Sequence, residues 1–516
     1  MVTKGKNSVL FVDMRKISFF AIFIASSFIL KLNSQTSEEA YNYSSSGVFG
    51  TARYISMGGA FGSLGGDLSS ISNNPASAAI FLLPEIGLSQ EINGYESYTQ
   101  GDIRNSVISG SDSSLNQFGF VFSLKNTNEG PFKRLNFSLN IQKEQDFKNQ
   151  ISSIATRSFG LDEFFTSNAQ GIQLNSLQTQ DNETLNDLYV YLGNNQGYSS
   201  QQAFLGYNTY MFDPVSEELS NTSYISAASY NQVEHDYYVN KTGDHKKYSW
   251  TAATQYNNSI YLGISLNTHD IYSYELSNIV ETGFNSDSQI QRIHFNNELI
   301  VEGSGISAQV GLISKIRNNI RFGITYQSPT KFSMIESSNQ QLAVDRYDND
   351  ILNRNEVNPA TSNISEYDFS IPSKTSLSLS YIFGSKGVLT GEYSYKNYQK
   401  MSFQSGSNQY LRSLNTQIYS SYKNASTVKF GGEFRLKGLS IRSGYYSEQS
   451  SLIEGDNSQS GLTLGFGYNF GGSLLSLGII KSEINFRKSL INSGINDYFQ
   501  ATKKQTILVL SYNFKI

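Results

Sequence analysis

The chain contains no cysteine, which removes disulfide frameworks and thiolate metal sites together. Its 516 residues include only 7 prolines, 4 histidines and a single tryptophan. Scarce proline suits a chain built mostly of strands, because proline cannot donate to a ladder. The histidines, His235, His245, His269 and His294, fall in predicted loops or strand ends and lack metal-ligand spacing. Charged residues make up 16% of the chain and the net charge is -4, so no nucleic-acid partner is expected. There is no nucleophile elbow with triad partners placed for it, and Gly465-Phe466-Gly467 belongs to a strand pattern and not to a phosphate loop. Asp345, Asp348, Asp350 and Glu356 cluster in a predicted long loop. They lack the glycine of an EF-hand loop and read as a solvated acidic stretch. No cofactor, no metal and no enzymatic activity are expected.

Long apolar runs are missing too, with one exception. Ile17 to Leu30 follows Arg15 and Lys16. It has the length of a signal-peptide core and is too short to span as a helix. Residues 1–34 are therefore read as a signal peptide cleaved near Ser34/Gln35, with Lys31 an unusual residue just past the run. Any membrane crossing by the rest must use strands. A mean hydropathy of -0.35 argues against a helical membrane protein, but strands that alternate average out to such a value.

What the chain has in quantity is Tyr (34), Phe (33) and alternation. Phe118, Phe120, Phe122 and Leu124 oppose Gln117, Gly119 and Ser123; Leu135, Phe137, Leu139 and Ile141 oppose Asn136, Ser138, Asn140 and Gln142. Leu462, Leu464, Phe466 and Tyr468 oppose Thr463, Gly465 and Gly467. Alternation over about ten residues between turns is the pattern of membrane barrel strands. Fourteen such segments are predicted, at 85–92, 115–124, 134–143, 247–256, 259–268, 296–314, 319–328, 375–384, 387–398, 427–437, 438–446, 461–470, 473–482 and 505–514. No proline falls inside them. Short connections (257–258, 315–318, 384–387, Gly438, 471–472) alternate with long ones (93–114, 144–246, 269–295, 329–374, 399–426, 447–460, 483–504). The fold class is thus all-β: a 14-stranded antiparallel transmembrane barrel over 84–516, preceded by a helical hatch at 35–83 inside the lumen. Within the long connections, 154–170, 198–212 and 410–423 have helical spacing.

The hatch reads differently from everything after it. Between Gly50 and Ile80 glycines come in pairs, Gly58-Gly59 and Gly65-Gly66, small residues fill the gaps, and the stretch closes on Asn74-Pro75-Ala76. Asn74 is a good N-cap, Pro75 suits the first helical position, and the alanines favour a short helix. In the wall, Lys429, Glu433, Arg435 and Arg442 are candidate lumen charges, since a charge facing lipid at midplane costs about 2–4 kcal/mol. Glu433 supplies their partner, so ion pairs with one another and with the plug are expected.

The stretch GTARYISMGGAFGSLGGDLSSISNNPASAAIF resembles the hatch of the long-chain fatty acid transporter (FadL/TodX) family of outer-membrane proteins, whose Asn-Pro-Ala motif maps onto Asn74, Pro75 and Ala76. AFLGYNTYMFDP, Ala203 to Pro214, is similar to a segment in the long third-strand loop of some relatives. The resemblance implies a monomeric outer-membrane channel in a Gram-negative cell, surrounded by lipid and lipopolysaccharide. It implies uptake of a hydrophobic small molecule, a long-chain fatty acid or an aromatic hydrocarbon. The alternative it implies is a binding and shuttle protein of a type IX secretion system, similar to PorV. It also implies a wall gap tied to a kink in the third strand. Arg134 to Lys143 holds no proline or glycine to make one.

Overall fold

The computed structural model describes residues 35–99, 105–126, 130–359, 363–406, 408–489 and 498–516; the predicted signal segment lies outside them. The chain closes a barrel of 14 antiparallel strands behind a run of short helices over 37–80. In order, the strands are Glu85–Thr99, Ser106–Lys125, Phe132–Asp146, Val233–Tyr256, Ile260–Thr282, Ile290–Arg317, Ile320–Gln327 continued by Thr330–Asp348, and Asn363–Ile371 continued by Lys374–Ile382. Then come Gly387–Asn397, Asn424–Leu436, Leu439–Glu448, Gln459–Asn469, Ser473–Ser489 and Tyr498–Lys515. The first and last strands pair from Glu85↔Lys515 to Thr99↔Ala501, so the barrel has no free edge there.

The alternation in sequence becomes two faces of opposite polarity. Leu462, Leu464, Phe466 and Tyr468 point outward and are exposed, while Thr463 is buried. The same holds for Phe120 and Phe122 against Gln117. This is the reverse of a soluble protein and fits a barrel wall between lipid and a polar lumen. Aromatic pairs sit near the short turns, Tyr381 against Phe383 and Tyr468 against Phe470, each with ring centroids 4.7 Å apart. Among the described residues no helix is long and apolar enough to cross a membrane. We expect Phe466→Arg to impair membrane assembly, at a cost of about 2–4 kcal/mol if it lies near midplane; heat-modifiable mobility on gels reads this. Equal or greater damage from Gly467→Ser would contradict the register.

The predicted strands are all present; those from nine to twelve match within about three residues, but several of the others are far too short. Strands four, five and six have 24, 23 and 28 residues, whereas crossing the hydrocarbon takes about 9–11. Most of the connections read as 93–114, 269–295 and 483–504 therefore continue the strands beyond the membrane. Two strands are interrupted at prolines. Pairing between strands seven and eight stops at Gln327↔Lys374 and resumes at Thr330↔Ile371. Pro329 and Pro372 lie in that break, where a missing N–H costs no ladder bond.

On the side of the long connections the projecting strands carry a helical cap. Its helices are Leu161–Ala169, Leu185–Asn195 and Tyr198–Asn208; residues 154–157, predicted helical, belong instead to a strand, Asn149–Arg157. Phe204, Leu205, Met211 and Phe212, from the stretch singled out in sequence, pack with Phe165 and with Ile290, Ile293 and Phe295 of strand six. A further helix, Gln409–Ser421, buries Leu411, Leu414 and Ile418. The acidic residues are not in an open loop. Asp345 and Asp348 lie on strand seven and Glu356 on the strand that returns beside it, and Arg354 bridges Asp345 and Glu356 at 3.4 Å each. The histidines are on strands as well: His245 and His269 face inward and meet at 3.0 Å, and His235 meets Glu281 at 2.6 Å.

Candidate functional site: the plug, the lumen and a seam in the wall

The plug has little regular structure, so its backbone groups need partners from elsewhere. It consists of helices Ser37–Ser44, Ala52–Ser56 and Leu68–Asn73 and a 3-10 helix, Pro75–Ile80. The polar inner face of the wall supplies the partners. Asn136 donates to the Ala78 and Phe81 carbonyls at 2.6 and 2.9 Å. Gln309 donates to the Asn73 carbonyl at 2.9 Å, Arg321 to Leu64 at 2.8 Å, and Thr390 to Ala60 at 2.9 Å. Asn116, at a register shift in strand two, makes both bonds to Gly50, at 3.1 and 2.9 Å.

Backbone can approach a wall this closely only where the wall lacks side chains. Glycines provide that, in facing pairs across neighbouring strands: Gly263↔Gly311, Gly431↔Gly444 and Gly465↔Gly478. A Cβ at Gly311 would lie 1.9 Å from Asn74 Oδ1, at Gly431 2.4 Å from the Met57 carbonyl, and at Gly465 1.9 Å from Ser56 Oγ. The small-residue character of the plug and the glycines of the wall are one adaptation seen from two sides. It also means that Gly465 is not the tolerant position that strand alternation alone predicts, whereas a Cβ at Gly467 first meets side-chain ends, the Arg442 guanidinium and Ser476 Oγ.

The motif residues sit where the plug meets this wall. Asn74 caps the 3-10 helix by accepting from Ala76 N at 3.1 Å, and its amide donates to the Gly62 and Leu312 carbonyls at 2.6 and 3.3 Å. The helix begun at Pro75 is 3-10 and not α, and Asn74 also ends the preceding α-helix. Gly58, Gly59, Gly65 and Gly66 all have φ between 62° and 71°, the left-handed region where a side chain is strained. We expect Asn74→Ala to leave the barrel folded but weaken plug docking by about 0.5–2 kcal/mol, the worth of a cap. Asn74→Asp should be worse, because a carboxylate oxygen would then face two carbonyls. Limited proteolysis within the plug measures both, and equal resistance of Asn74→Asp and the parent would contradict the assignment.

The candidate lumen charges form two knots on the plug. Glu433 accepts from Arg53 of the plug at 2.8 Å, from Arg442 at 2.7 Å and from Arg435 at 2.6 Å. Arg53 also donates to the Gly66 carbonyl at 2.8 Å. Arg442 is buried, while the Arg435 side chain is 45% exposed near the short turn at 437–438. Lys429 lies 3.6 Å from Glu392, which accepts from Asn73 at 2.7 Å and from Gly62 N at 3.0 Å.

Cavities remain between the plug and the wall, two of which bear on the lumen. One, of 70 Å³, is lined by five lysines (Lys143, Lys247, Lys374, Lys396 and Lys429) and a single carboxylate, Glu144. The other, of 110 Å³, mixes apolar side chains such as Phe147, Ile151, Leu452 and Phe486 with charged ones, among them Asp146, Glu275, Lys488 and Lys503.

The second cavity lies against a seam in the wall. Strands two and three are hydrogen-bonded only from Lys125↔Arg134 to Gln117↔Gln142. Beyond that, strand two continues to Ser106 on strand one alone, and strand three to Asp146 on strand four alone. Strand three bends inward, and it and the segment after it touch strands one and two with side chains, Lys148 pairing with Asp112 of strand two. Lys143 pairs with Glu91 and donates to Ser114 at 2.9 Å, Asn93 donates to Asp146 at 3.3 Å, and Ser97 donates to Asn149 at 2.6 Å. The kink that residues 134–143 do not signal is therefore present just past them. Its cause is a register shift at Lys143/Gln145 and a glycine in the neighbouring strand: Gly243, at φ 115°, accepts from Phe147 N at 3.0 Å. Phe147 in turn meets Tyr43 of the plug, ring centroids 5.9 Å apart.

These features define a class: a plugged, closed 14-stranded membrane barrel with a capped mouth and, among the described residues, a ladder between strands two and three that stops part-way. No protein-family model and no curated protein sequence matches the chain. Solved structures do. A Pseudomonas aeruginosa FadL homologue aligns at 12% identity with a TM-score of 0.54, over 91% of this chain and 99% of that one. The Pseudomonas putida toluene transporter TodX aligns at 13% identity and a TM-score of 0.49, over 91% and 100% of the two chains. The CymD monoaromatic hydrocarbon channel aligns at 11% identity and a TM-score of 0.46, over 92% and 98%. The chain has the fold of a FadL-type barrel and plug.

Proposed function

We propose that the protein is a monomeric outer-membrane channel, in a Gram-negative cell, that takes up hydrophobic small molecules past a lipopolysaccharide leaflet. Ligand enters through the cap, occupies the cavities between the plug and the wall, and leaves sideways through the seam between strands two and three. The observation that carries this reading is the end of the backbone ladder at Gln117↔Gln142 beside the more apolar cavity. The axial route is filled by the plug, and an apolar solute gains nothing from a water-filled pore, so a sideways path into lipid is the favourable one.

The ligand class follows from charge. Of that cavity's five lysines, Lys143 and Lys429 are paired with Glu91 and Glu392, which leaves Lys247, Lys374 and Lys396 facing Glu144 alone; such a site has little to offer a neutral aromatic hydrocarbon and much to offer a carboxylate. Between the two classes that the sequence leaves open, a long-chain fatty acid is favoured, with Lys247, Lys374 and Lys396 meeting its head group. Uptake of radiolabelled oleate and toluene by cells carrying the protein tests this. We expect oleate uptake, reduced about tenfold when Lys374 and Lys396 are both changed to Glu, with toluene uptake little affected. Equal loss of both would contradict the head-group role. Failure to take up either compound, together with co-purification of secreted proteins on the cap, would replace the channel with the shuttle reading.

A further inference from the structure

Buried charge fails to balance at the start of the plug. Thr36 opens the first helix: its hydroxyl accepts from Glu39 N at 3.1 Å, and its own N–H donates to Glu39 Oε2 at 3.0 Å. Glu336 of strand seven lies alongside, accepting from the Gln35 amide and from Tyr367, each at 3.4 Å. Both carboxylates are buried, at 5% and 1% exposed, and Oε1 of each lacks a hydrogen-bond partner. Lys241 and Lys488 favour the charged form of Glu39 but are shared with another carboxylate. Both pair with Glu275, at 3.1 and 2.7 Å. Burial works against the charge of Glu275, yet Lys488 and Lys241 hold its carboxyl down to about 2. Burial raises both Glu39 and Glu336, and the charge of Glu39 adds to the rise on Glu336. Two ionised carboxylates in such a place need a positive partner.

Gln35 occupies the position from which one can come. It is 2% exposed, its carbonyl accepts from Tyr410 at 2.6 Å, and its side chain is already on Glu336. Ser34, a small residue, stands immediately before it, with Leu32 in place of a small residue two positions further back. We propose that the chain is cut between Ser34 and Gln35 and that the α-ammonium so created is the counter-charge of the Glu39–Glu336 pair. The inference rests on reading residues 1–34 as a signal peptide and is independent of what the channel carries. It makes processing a condition of plug seating, because an uncut chain has a neutral amide where the ammonium is needed. Engagement of the Gln35 amide by Glu336 also holds that side chain away from its own amine, so cyclisation to pyroglutamate is disfavoured.

The test is intact-mass and amine-labelling analysis of the full protein purified from membranes. The expected result is a chain that begins at Gln35, keeps its free amine, and labels by reductive methylation when denatured but at least tenfold more slowly when native. A start at another residue, a mass lowered by loss of ammonia, or equal labelling of native and denatured protein would each overturn the proposal. Glu336→Gln separates an ammonium partner from a merely protonated carboxyl pair. An ammonium partner predicts a lower melting temperature and faster native labelling, and a protonated pair predicts neither. If the variant does not fold, mass and labelling of the parent protein decide.

Discussion

Deleting Tyr41–Leu82 should turn a poorly conducting barrel into an open one. Fourteen strands enclose more space than their own inward side chains fill, since eight are about the number that can close on themselves. In this protein the plug takes up that space, and the wall is shaped to it by Asn136, Gln309, Arg321 and the glycine pairs. The barrel does not depend on the plug for closure, because the first and last strands pair over their full shared length. We therefore expect the deletion variant to assemble and its single-channel conductance in planar bilayers to rise about tenfold or more. The lumen left behind would be polar, with the Glu433 cluster short of Arg53 and the Glu392 cluster short of Asn73. A folded deletion variant with unchanged conductance would mean that something other than this segment closes the pore.

The second large effect concerns the seam. If ligand leaves between strands two and three, pinning the bent strand should stop it without disturbing the barrel. Ser97 of strand one and Asn149 of the bent segment are in contact at 2.6 Å through their side chains. Their side-chain contact makes this pair the candidate for a cysteine cross-link, and the chain has no other cysteine to compete. We expect the oxidised Ser97→Cys, Asn149→Cys variant to lose about tenfold in fatty acid uptake and to regain it on reduction. A pair placed away from the seam, joining strands twelve and thirteen through the lipid-facing Leu464 and Ile479, which face each other in register, should leave uptake unchanged. Equal uptake by the oxidised and reduced seam variant would remove the lateral exit.

The membrane-embedded part of this fold is legible in the sequence because lipid and a polar lumen impose opposite demands on alternate residues. Leu462 to Tyr468 and Phe118 to Leu124 carry that demand directly. Past the membrane it disappears. Ile290, Ile293 and Phe295 pack under the cap, and the outward positions meet water, so the same strands lose their alternation and read as loops. The plug is legible through its glycine pairs and Asn74-Pro75-Ala76. Its docking surface is written in the wall instead, as glycines at inward positions that come opposite one another only once register is known. The seam was hidden for a similar reason. Its bend depends on Gly243, on strand four, and on a register shift that begins at Lys143, where the strand pattern ends.

Site-resolved photocrosslinking with a diazirine-bearing long-chain fatty acid tests the lateral path most directly. The account predicts adducts on apolar residues of the cavity beside the seam, Phe147 and Ile151, and on the edge of strand two above the end of the ladder, at Leu115 and Asn116. It predicts none at the turns after strands ten and twelve, around Gly438 and Gly471. Adducts running down the lumen to those turns, with the edge of strand two unlabelled, would show axial passage past the plug and contradict it.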